Sequence, residues 1–82
     1  MDIWKVVDEL VCTRRVPGLH AASLRVLEGQ TGERMVATDP VGVPPGKWVF
    51  TTLGTAARYA MPDPTTTTDL TICGIIDQWN QT

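Results

Sequence analysis

The sequence predicts an all-β protein, a small five-stranded barrel with one short α-helix. Five short segments alternate apolar and polar residues, and glycine and proline separate most of them. No strand-helix-strand alternation of the kind that builds a parallel sheet is present. The chain has 82 residues, a length that gives one small domain with a thin core. We therefore expect residues 1–82 to form a single domain.

The first predicted strand is the longest and runs from Asp2 to Thr13. Valine content and a two-residue period favour a strand over the competing interpretation as a helix. Apolar side chains occupy both faces, so we expect this strand to be covered on both sides. One face carries Trp4, Val6, Leu10 and Cys12, and the other face carries Ile3, Val7 and Val11.

Two shorter strands follow and form a predicted hairpin. Pro17-Gly18 ends the first strand, and residues 22–26 then alternate apolar with polar side chains. Gly29–Gly32 is the expected hairpin turn, and Arg34–Asp39 is the third strand. Three prolines make residues 40–46 a rigid loop, because proline cannot donate a ladder hydrogen bond.

The fourth strand and the helix are adjacent in the sequence. Lys47–Leu53 is the fourth strand, and Trp48 and Phe50 lie on one face of it, where we expect them to anchor the core. Alanines in Gly54–Ala60 favour a short helix that the following Met-Pro ends. The side chain of Thr55 is the expected N-cap.

A polar loop and a last strand complete the predicted barrel. Thr65–Thr68 is expected to stay unpacked, and Asp69–Ile76 forms the fifth strand. Five short strands with one helical turn indicate an OB-like barrel. The helix lies between the fourth and fifth strands, whereas the usual OB-fold has it between the third and fourth, and the fold by itself implies no function.

Composition favours a chain that assembles with its own copies. A domain this small buries a limited share of its surface and needs help from disulfides, a metal or oligomerisation. Two cysteines and one histidine are too few for a disulfide framework or a closed zinc site. The hydrophobic content of 43% exceeds what one thin core needs, so subunit contacts are expected to bury the surplus.

Charge and terminal sequence argue against several classes of partner. A formal net charge of −2 offers no excess of cations for phosphates, so nucleic acid is disfavoured. No apolar run reaches membrane-spanning length and the first residues lack the features of a signal peptide, so we expect a cytoplasmic protein. In that compartment Cys12 and Cys73 are expected to stay reduced and to pack as small core residues.

Residues with catalytic potential do not converge in the sequence. His20 lies in a loop and has no nucleophile or second metal ligand at a useful spacing, so we expect a solvated side chain. Asp8 and Glu9 point to opposite faces of a strand, and Asp39 and Asp77 resemble turn or hydrogen-bonding residues. We therefore predict that the protein is not an enzyme and binds no metal or cofactor.

Three ordered segments resemble the vertex-protein family of bacterial microcompartments, the EutN/CcmL type. They are Asp39–Phe50, Gly54–Arg58 and Asp69–Trp79, and the opening strand around Trp4 to Thr13 is also similar. The ending Ile-Ile-Asp-Gln-Trp and the stretch Thr-Arg-Arg-Val-Pro-Gly-Leu are most similar to the α-carboxysome branch. One departure is Thr55, where the family commonly has serine.

The resemblance implies a shell protein. It implies an OB-like barrel that associates head to tail into a homopentamer and occupies the fivefold corners of the carboxysome shell. Its partners would be its own copies and the hexameric shell proteins, with no nucleic acid and no membrane. The expected location is the carboxysome shell in the cytoplasm, where the shell encloses ribulose bisphosphate carboxylase and carbonic anhydrase.

The resemblance also implies the site residues. Gly54, Thr55, Ala56 and Arg58 are expected to line the fivefold axis, where helix N-termini and Arg58 would attract a small anion. An intersubunit salt bridge of Arg58 is the alternative at that position, and the one we favour. Trp4, Arg58 and Trp79 are the expected interface residues.

Two alternatives remain open at this level. Trp4 and Trp79 would equally well pack within their own barrel. The second candidate function is an OB-like module that binds nucleic acid or oligosaccharide through an aromatic strand face.

Overall fold

The computed structural model describes residues 1–79, in which five strands close into a barrel around a small core. A single 3-10 turn, Pro17–Leu19, lies between the first two strands. One short helix lies between the fourth and fifth strands. The elements are β1 Asp2–Glu9, β2 Leu24–Glu28, β3 Arg34–Thr38, β4 Trp48–Leu53, α1 Thr55–Tyr59 and β5 Leu70–Ile75.

The strands follow the order β1-β2-β3-β5-β4 around the barrel. Every neighbouring pair is antiparallel except β3 and β5, which are parallel and pair at one position, Thr38 with Thr71. The predicted hairpin is confirmed, because Gly29 N–H donates to the Glu33 carbonyl at 2.8 Å and joins β2 to β3. The all-β, OB-like fold class is therefore confirmed.

The core is a single cluster of aliphatic side chains inside the barrel. Each strand contributes at least one inward residue, and the loop before β4 adds Val43. The half-buried ring of Trp4 packs against this cluster. The cluster consists of Val6, Leu27, Ala37, Val43, Val49, Leu70 and Ile72.

A buried ion pair fixes the proline-rich loop to the barrel. The Asp39 carboxylate accepts hydrogen bonds from the backbone N–H groups of Val41, Gly42 and Val43 at 2.7 to 3.0 Å. Arg25 Nε lies 3.2 Å from Asp39 Oδ2 and also donates to the Val43 carbonyl at 2.9 Å. The expectation that Asp39 is a hydrogen-bonding residue is confirmed, and its partner Arg25 was not predicted.

The first strand is shorter than predicted and is not covered on both sides in the single chain. β1 ends at Glu9, and residues 10–13 lie exposed beyond it. A closed barrel has only one interior, so only one set of β1 side chains enters the core. Cys12 is exposed and Cys73 is half-buried, so the prediction that both cysteines pack in the core is wrong.

The fourth strand turns the opposite face to the core from the one predicted. Val49 and Thr51 are fully buried, whereas Trp48 and Phe50 are only half-buried on the outer wall. Phe50 lies over Gly74 of β5, where a Cβ atom would come within 2.6 Å of the ring. The prediction that Trp48 and Phe50 anchor the core is therefore wrong. The interior of so narrow a barrel accommodates the smaller side chains of Val and Thr more easily.

The start of α1 and the threonine loop also differ from the predictions. Gly54 is the N-cap, with a φ of 64°, and Thr55 makes no side-chain capping bond. In the loop before β5, Thr66 is buried, and Thr68 Oγ1 lies 3.0 Å from Thr38 Oγ1. Thr66 and Thr68 therefore pack, because their hydroxyl groups have partners that replace water, whereas Thr65 and Thr67 stay exposed.

Candidate functional site: the axis and interface surfaces

The residues predicted to line the fivefold axis form one exposed surface at the end of β4. Gly54 N–H donates to the Asp69 carbonyl at 2.9 Å, which holds the turn into α1 against the start of β5. Ala57 is fully buried, and Thr71 Oγ1 donates to its carbonyl at 2.7 Å. The helix is thus fixed through one residue, and the candidates Gly54, Thr55, Ala56 and Arg58 face outward.

Arg58 lies in the last turn of α1 and has an exposed side chain. It makes no ion pair or side-chain hydrogen bond within residues 1–79. It lines a surface groove of about 330 Å³ whose other wall is Thr65–Asp69. A cation that its own chain leaves free is available to an ion or to a neighbouring subunit.

Trp4 packs mainly within its own barrel. Its ring is half-buried against the core cluster, which corresponds to the same-barrel alternative. Its Nε1 is buried without a hydrogen-bond partner in the described part of the chain. Buried donors normally have partners, so this N–H is an unusual feature of the isolated chain.

Trp79 contacts another tryptophan of the same chain. Its ring packs edge-on against Trp48, with centroids 5.2 Å apart and planes at 71°. Lys5 Nζ lies 6.0 Å from the centroid of the Trp48 ring. Trp79 therefore packs on the outer wall of its own barrel, beside the start of β4.

The predicted residues therefore fall into two groups and not one site. Trp48, with Trp79 on it, begins β4, and Gly54 follows the end of the same strand. A six-residue strand separates the two groups by roughly 20 Å. The structure brings Gly54, Thr55, Ala56 and Arg58 together and keeps the tryptophans apart from them.

Further exposed apolar residues were not predicted individually. Val11 is 82% exposed, Val16 57%, Val36 47% and Met35 44%. Leu53 and Tyr59 are exposed on either side of the axis surface. The surplus of apolar residues in the composition was the signal for them, but it did not give their positions. These exposed apolar side chains are candidates for burial in a contact between subunits.

One polar cluster on the surface joins the loop before β2 to the loop before β5. His20 Nε2 lies 3.5 Å from Asp63 Oδ2, and both side chains are exposed. The Thr65 hydroxyl, then its backbone N–H, and the nearby His20 lower the pKa of Asp63. Within residues 1–79 no group of His, Cys, Asp and Glu has a metal-binding arrangement, and no helix is long and apolar enough to cross a membrane.

The fold and its surfaces define a class, a small OB-like barrel that exposes apolar and unpaired residues suited to subunit contacts. The chain belongs to the family described as ethanolamine utilisation protein EutN/carboxysome, which matches residues 1–77. The resemblance found in the sequence is thus confirmed.

The proteins similar to this chain are named as shell proteins. The carboxysome shell vertex protein CsoS4B of Halothiobacillus neapolitanus is 54% identical over 79 residues, 96% of this chain and 98% of that protein. A solved structure of CsoS4B from the same organism has a TM-score of 0.90 and covers 95% of this chain and 100% of its own. A pentameric shell protein from the RMM microcompartment is 29% identical, with a TM-score of 0.87, and covers 100% of this chain and 96% of its own.

Proposed function

We propose that five copies of this chain form a closed ring that occupies the fivefold corners of a carboxysome shell. The observation that carries the proposal is the match over nearly the whole chain to a carboxysome shell vertex protein. The exposed apolar residues of the single barrel support it, since a ring would bury them. The role is structural, and the chain supplies shape instead of chemistry.

Geometry explains why a shell needs such a ring. A head-to-tail contact between identical copies repeats until the rotation closes, and a rotation of one fifth of a turn gives five subunits. A layer of hexagonal tiles stays flat unless fivefold points curve it into a closed polyhedron. The partners of the ring are therefore hexameric shell proteins, which meet its outer rim.

A closure experiment tests this role. A hexameric carboxysome shell protein is produced alone and together with this chain, and the products are imaged by electron microscopy. We expect sheets or tubes without the chain and closed polyhedra with it. Closed polyhedra in both samples, or none in either, would contradict the vertex role.

We also propose that the turn from β4 into α1 faces the fivefold axis. Gly54, Thr55, Ala56 and Arg58 are exposed together, and Arg58 lines the groove beside this surface. Near the axis the five copies of each residue come close to one another. The Arg58 side chain has no ion-pair partner within residues 1–79 and is therefore placed to pair with an acidic group of the adjacent subunit.

Spin labels test the axis assignment. A nitroxide on Thr55→Cys in a Cys12→Ser, Cys73→Ser background gives distances between the five copies in one ring. A regular pentagon has a side and a diagonal in a ratio of about 1.6 whatever its radius. We expect two short distances in that ratio for Thr55 and much longer ones for a label on Gln30 of the β2–β3 hairpin. Equal or shorter distances for Gln30 would contradict the assignment.

A small anion at the axis stays a prediction. The free guanidinium of Arg58 is the feature that would attract it. If the anion binds there, a crystal of the ring grown with bromide will show anomalous density between the Arg58 side chains. A ring without density there, with Arg58 bonded to a neighbouring carboxylate, would contradict the anion and support the ion pair.

A further inference from the structure

One strand edge of the barrel lacks a complete partner. β3 faces β5 on this side, but the two strands pair only at Thr38 and Thr71. Arg34–Ala37 therefore present an unpaired edge within residues 1–79, although β2 pairs with their other side. Exposed edges of this kind favour pairing with another chain, because their N–H and C=O groups lack protein partners.

One irregular segment of the same chain, with a bend at Thr13, also lacks a partner. Leu10–Val16 follows β1, and residues 11–15 make no backbone hydrogen bond within the described part of the chain. Leu10 N–H donates to the Leu24 carbonyl, so the segment leaves the barrel beside β2. The free edge of β3 lies on the opposite side from β2. The segment is thus directed away from the free β3 edge of its own barrel.

We infer that Leu10–Val16 of one copy adds as a strand to the β3 edge of the next copy in the ring. The inference rests on the proposed ring and deepens it by naming the two surfaces in contact. Strand addition gives an extended segment main-chain hydrogen bonds and pockets for alternate side chains. It also uses two different surfaces of each copy, as a head-to-tail ring requires.

The side chains of the two surfaces are complementary in polarity. Val11 of the segment is 82% exposed, and the β3 edge exposes Val36 at 47% and Met35 at 44%. A cavity of about 230 Å³ lies beside this edge, lined by Leu19, Val36 and Ala37 on one side and by Thr67 to Asp69 on the other. A branched aliphatic side chain such as that of Val11 is small enough to enter it.

The charges are complementary as well. The segment carries Arg14 and Arg15 and no acidic residue. Arg15 donates to the Ala22 carbonyl of its own chain at 2.6 Å, which leaves Arg14 free within residues 1–79. At the hairpin end of the β3 edge, Glu33 has no cationic partner within residues 1–79, while Glu28 pairs with Arg34 at 3.2 Å. Arg14 of a neighbouring copy matches the carboxylate of Glu33, which accepts a hydrogen bond from the Thr31 hydroxyl but has no ion pair within residues 1–79.

Disulfide cross-linking tests the pairing with a cysteine that the chain already has. Cys12 is exposed in the middle of the segment, and Met35→Cys in a Cys73→Ser background places a second thiol on the β3 edge. The matched control is Val41→Cys, which is 45% exposed but lies in the proline-rich loop. Paired strands bring such residues within the Cα separation that a disulfide needs, about 4.4 to 6.8 Å.

Each outcome of this experiment is decisive. After mild oxidation we expect a reducible ladder of covalent species up to five chains for Met35→Cys and at least about tenfold fewer cross-links for Val41→Cys. A variant that forms rings of five but cross-links no better than the control overturns the strand pairing and leaves the ring intact. A wild-type chain that stays monomeric overturns the ring itself.

A charge pair provides an independent test. Val11→Asp and Val36→Lys each place an unpaired charge in the inferred contact, so each is expected to raise the concentration needed for ring formation about tenfold or more. The double variant is expected to recover most of that loss, because the two charges face each other. Losses that simply add in the double variant would contradict the pairing, and Val41→Asp is the control expected to assemble normally.

Discussion

The Asp39 corner and the β3–β5 seam are opposite cases within one small barrel. At the corner, a single carboxylate satisfies three backbone N–H groups and pairs with Arg25, so the chain completes its own interactions. At the seam, two strands meet at one pair of residues and leave Met35 and Val36 exposed. The corner stabilises the fold of one copy, whereas the seam is where we propose that a second copy adds the missing partner.

The largest loss of unfolding free energy is expected at the Asp39 corner, where the chain completes its own interactions. Asp39→Ala removes three hydrogen bonds and the buried ion-pair partner of Arg25, whose side chain is 12% exposed and keeps only the exposed carboxylate of Glu9 at 3.8 Å. Breaking a buried pair in this way costs about 3 to 5 kcal/mol of unfolding free energy. Urea unfolding at one fixed protein concentration measures the loss. Asp77→Ala, an exposed carboxylate, is the control, and a loss for Asp39→Ala no larger than for this control would refute the role of the corner.

The next largest loss of stability is expected from backbone strain at Gly54. Gly54 has φ 64° and ψ −139°, a conformation that costs other residues about 1 to 3 kcal/mol, so Gly54→Ala is expected to destabilise the fold by that amount. Thr55→Ala is the comparison, and it is expected to cost under about 0.5 kcal/mol because Thr55 makes no capping bond. Thermal unfolding of both variants tests the assignment, and a reversed order would restore Thr55 as the cap.

Weakening the one link across the seam gives a smaller loss. Thr38 Oγ1 lies 2.8 Å from Thr71 Oγ1 and 3.0 Å from Thr68 Oγ1. Thr38→Val removes these bonds and is expected to cost about 1 to 2 kcal/mol. Hydrogen exchange at the Thr71 amide is expected to accelerate more than exchange in β1. Equal acceleration in both strands would show that the seam is not a separate weak point. Thr52→Val on β4 is the control.

The smallest effect concerns a surface carboxylate. The Thr65 hydroxyl lowers the pKa of Asp63 most strongly, so Thr65→Val is expected to raise that pKa toward its ordinary value. A lowered carboxyl pKa contributes stability above the unfolded pKa, and this contribution is lost as the pH falls through the folded pKa. The variant is therefore expected to lose less stability on acidification. An NMR titration of the Asp63 carboxyl carbon measures the shift, with Thr67→Val as the control and an unchanged pKa as the contradicting result.

Local sequence signals predicted the order of the elements well. Turn residues such as Gly29–Gly32 and the two-residue alternation predicted five strands and one helix close to their observed bounds, except that β1 ends at Glu9 and not at Thr13. These features depend on neighbours in the chain, so a sequence displays them directly. The family and its shell role also followed, because the matching segments span most of the chain and keep their order.

The sequence did not indicate which side chains enter the barrel core or which distant residues pair with each other. Trp48 and Phe50 were placed in the core because of their size, whereas the narrow barrel selected Val49 and Thr51. The partnership of Arg25 with Asp39 joins residues far apart in the chain and has no local signature. Gly54, Thr55, Ala56 and Arg58 share one exposed surface, but their predicted position at a fivefold axis depends on contacts that one chain does not contain.

The mass of the assembled protein tests the central claim most directly. Native mass spectrometry of the purified chain over a concentration series counts the copies in the complex. The account predicts a species of five chains that stays the main form on dilution and is lost in Val11→Asp. A persistent monomer, or a closed ring of any other number, would contradict it.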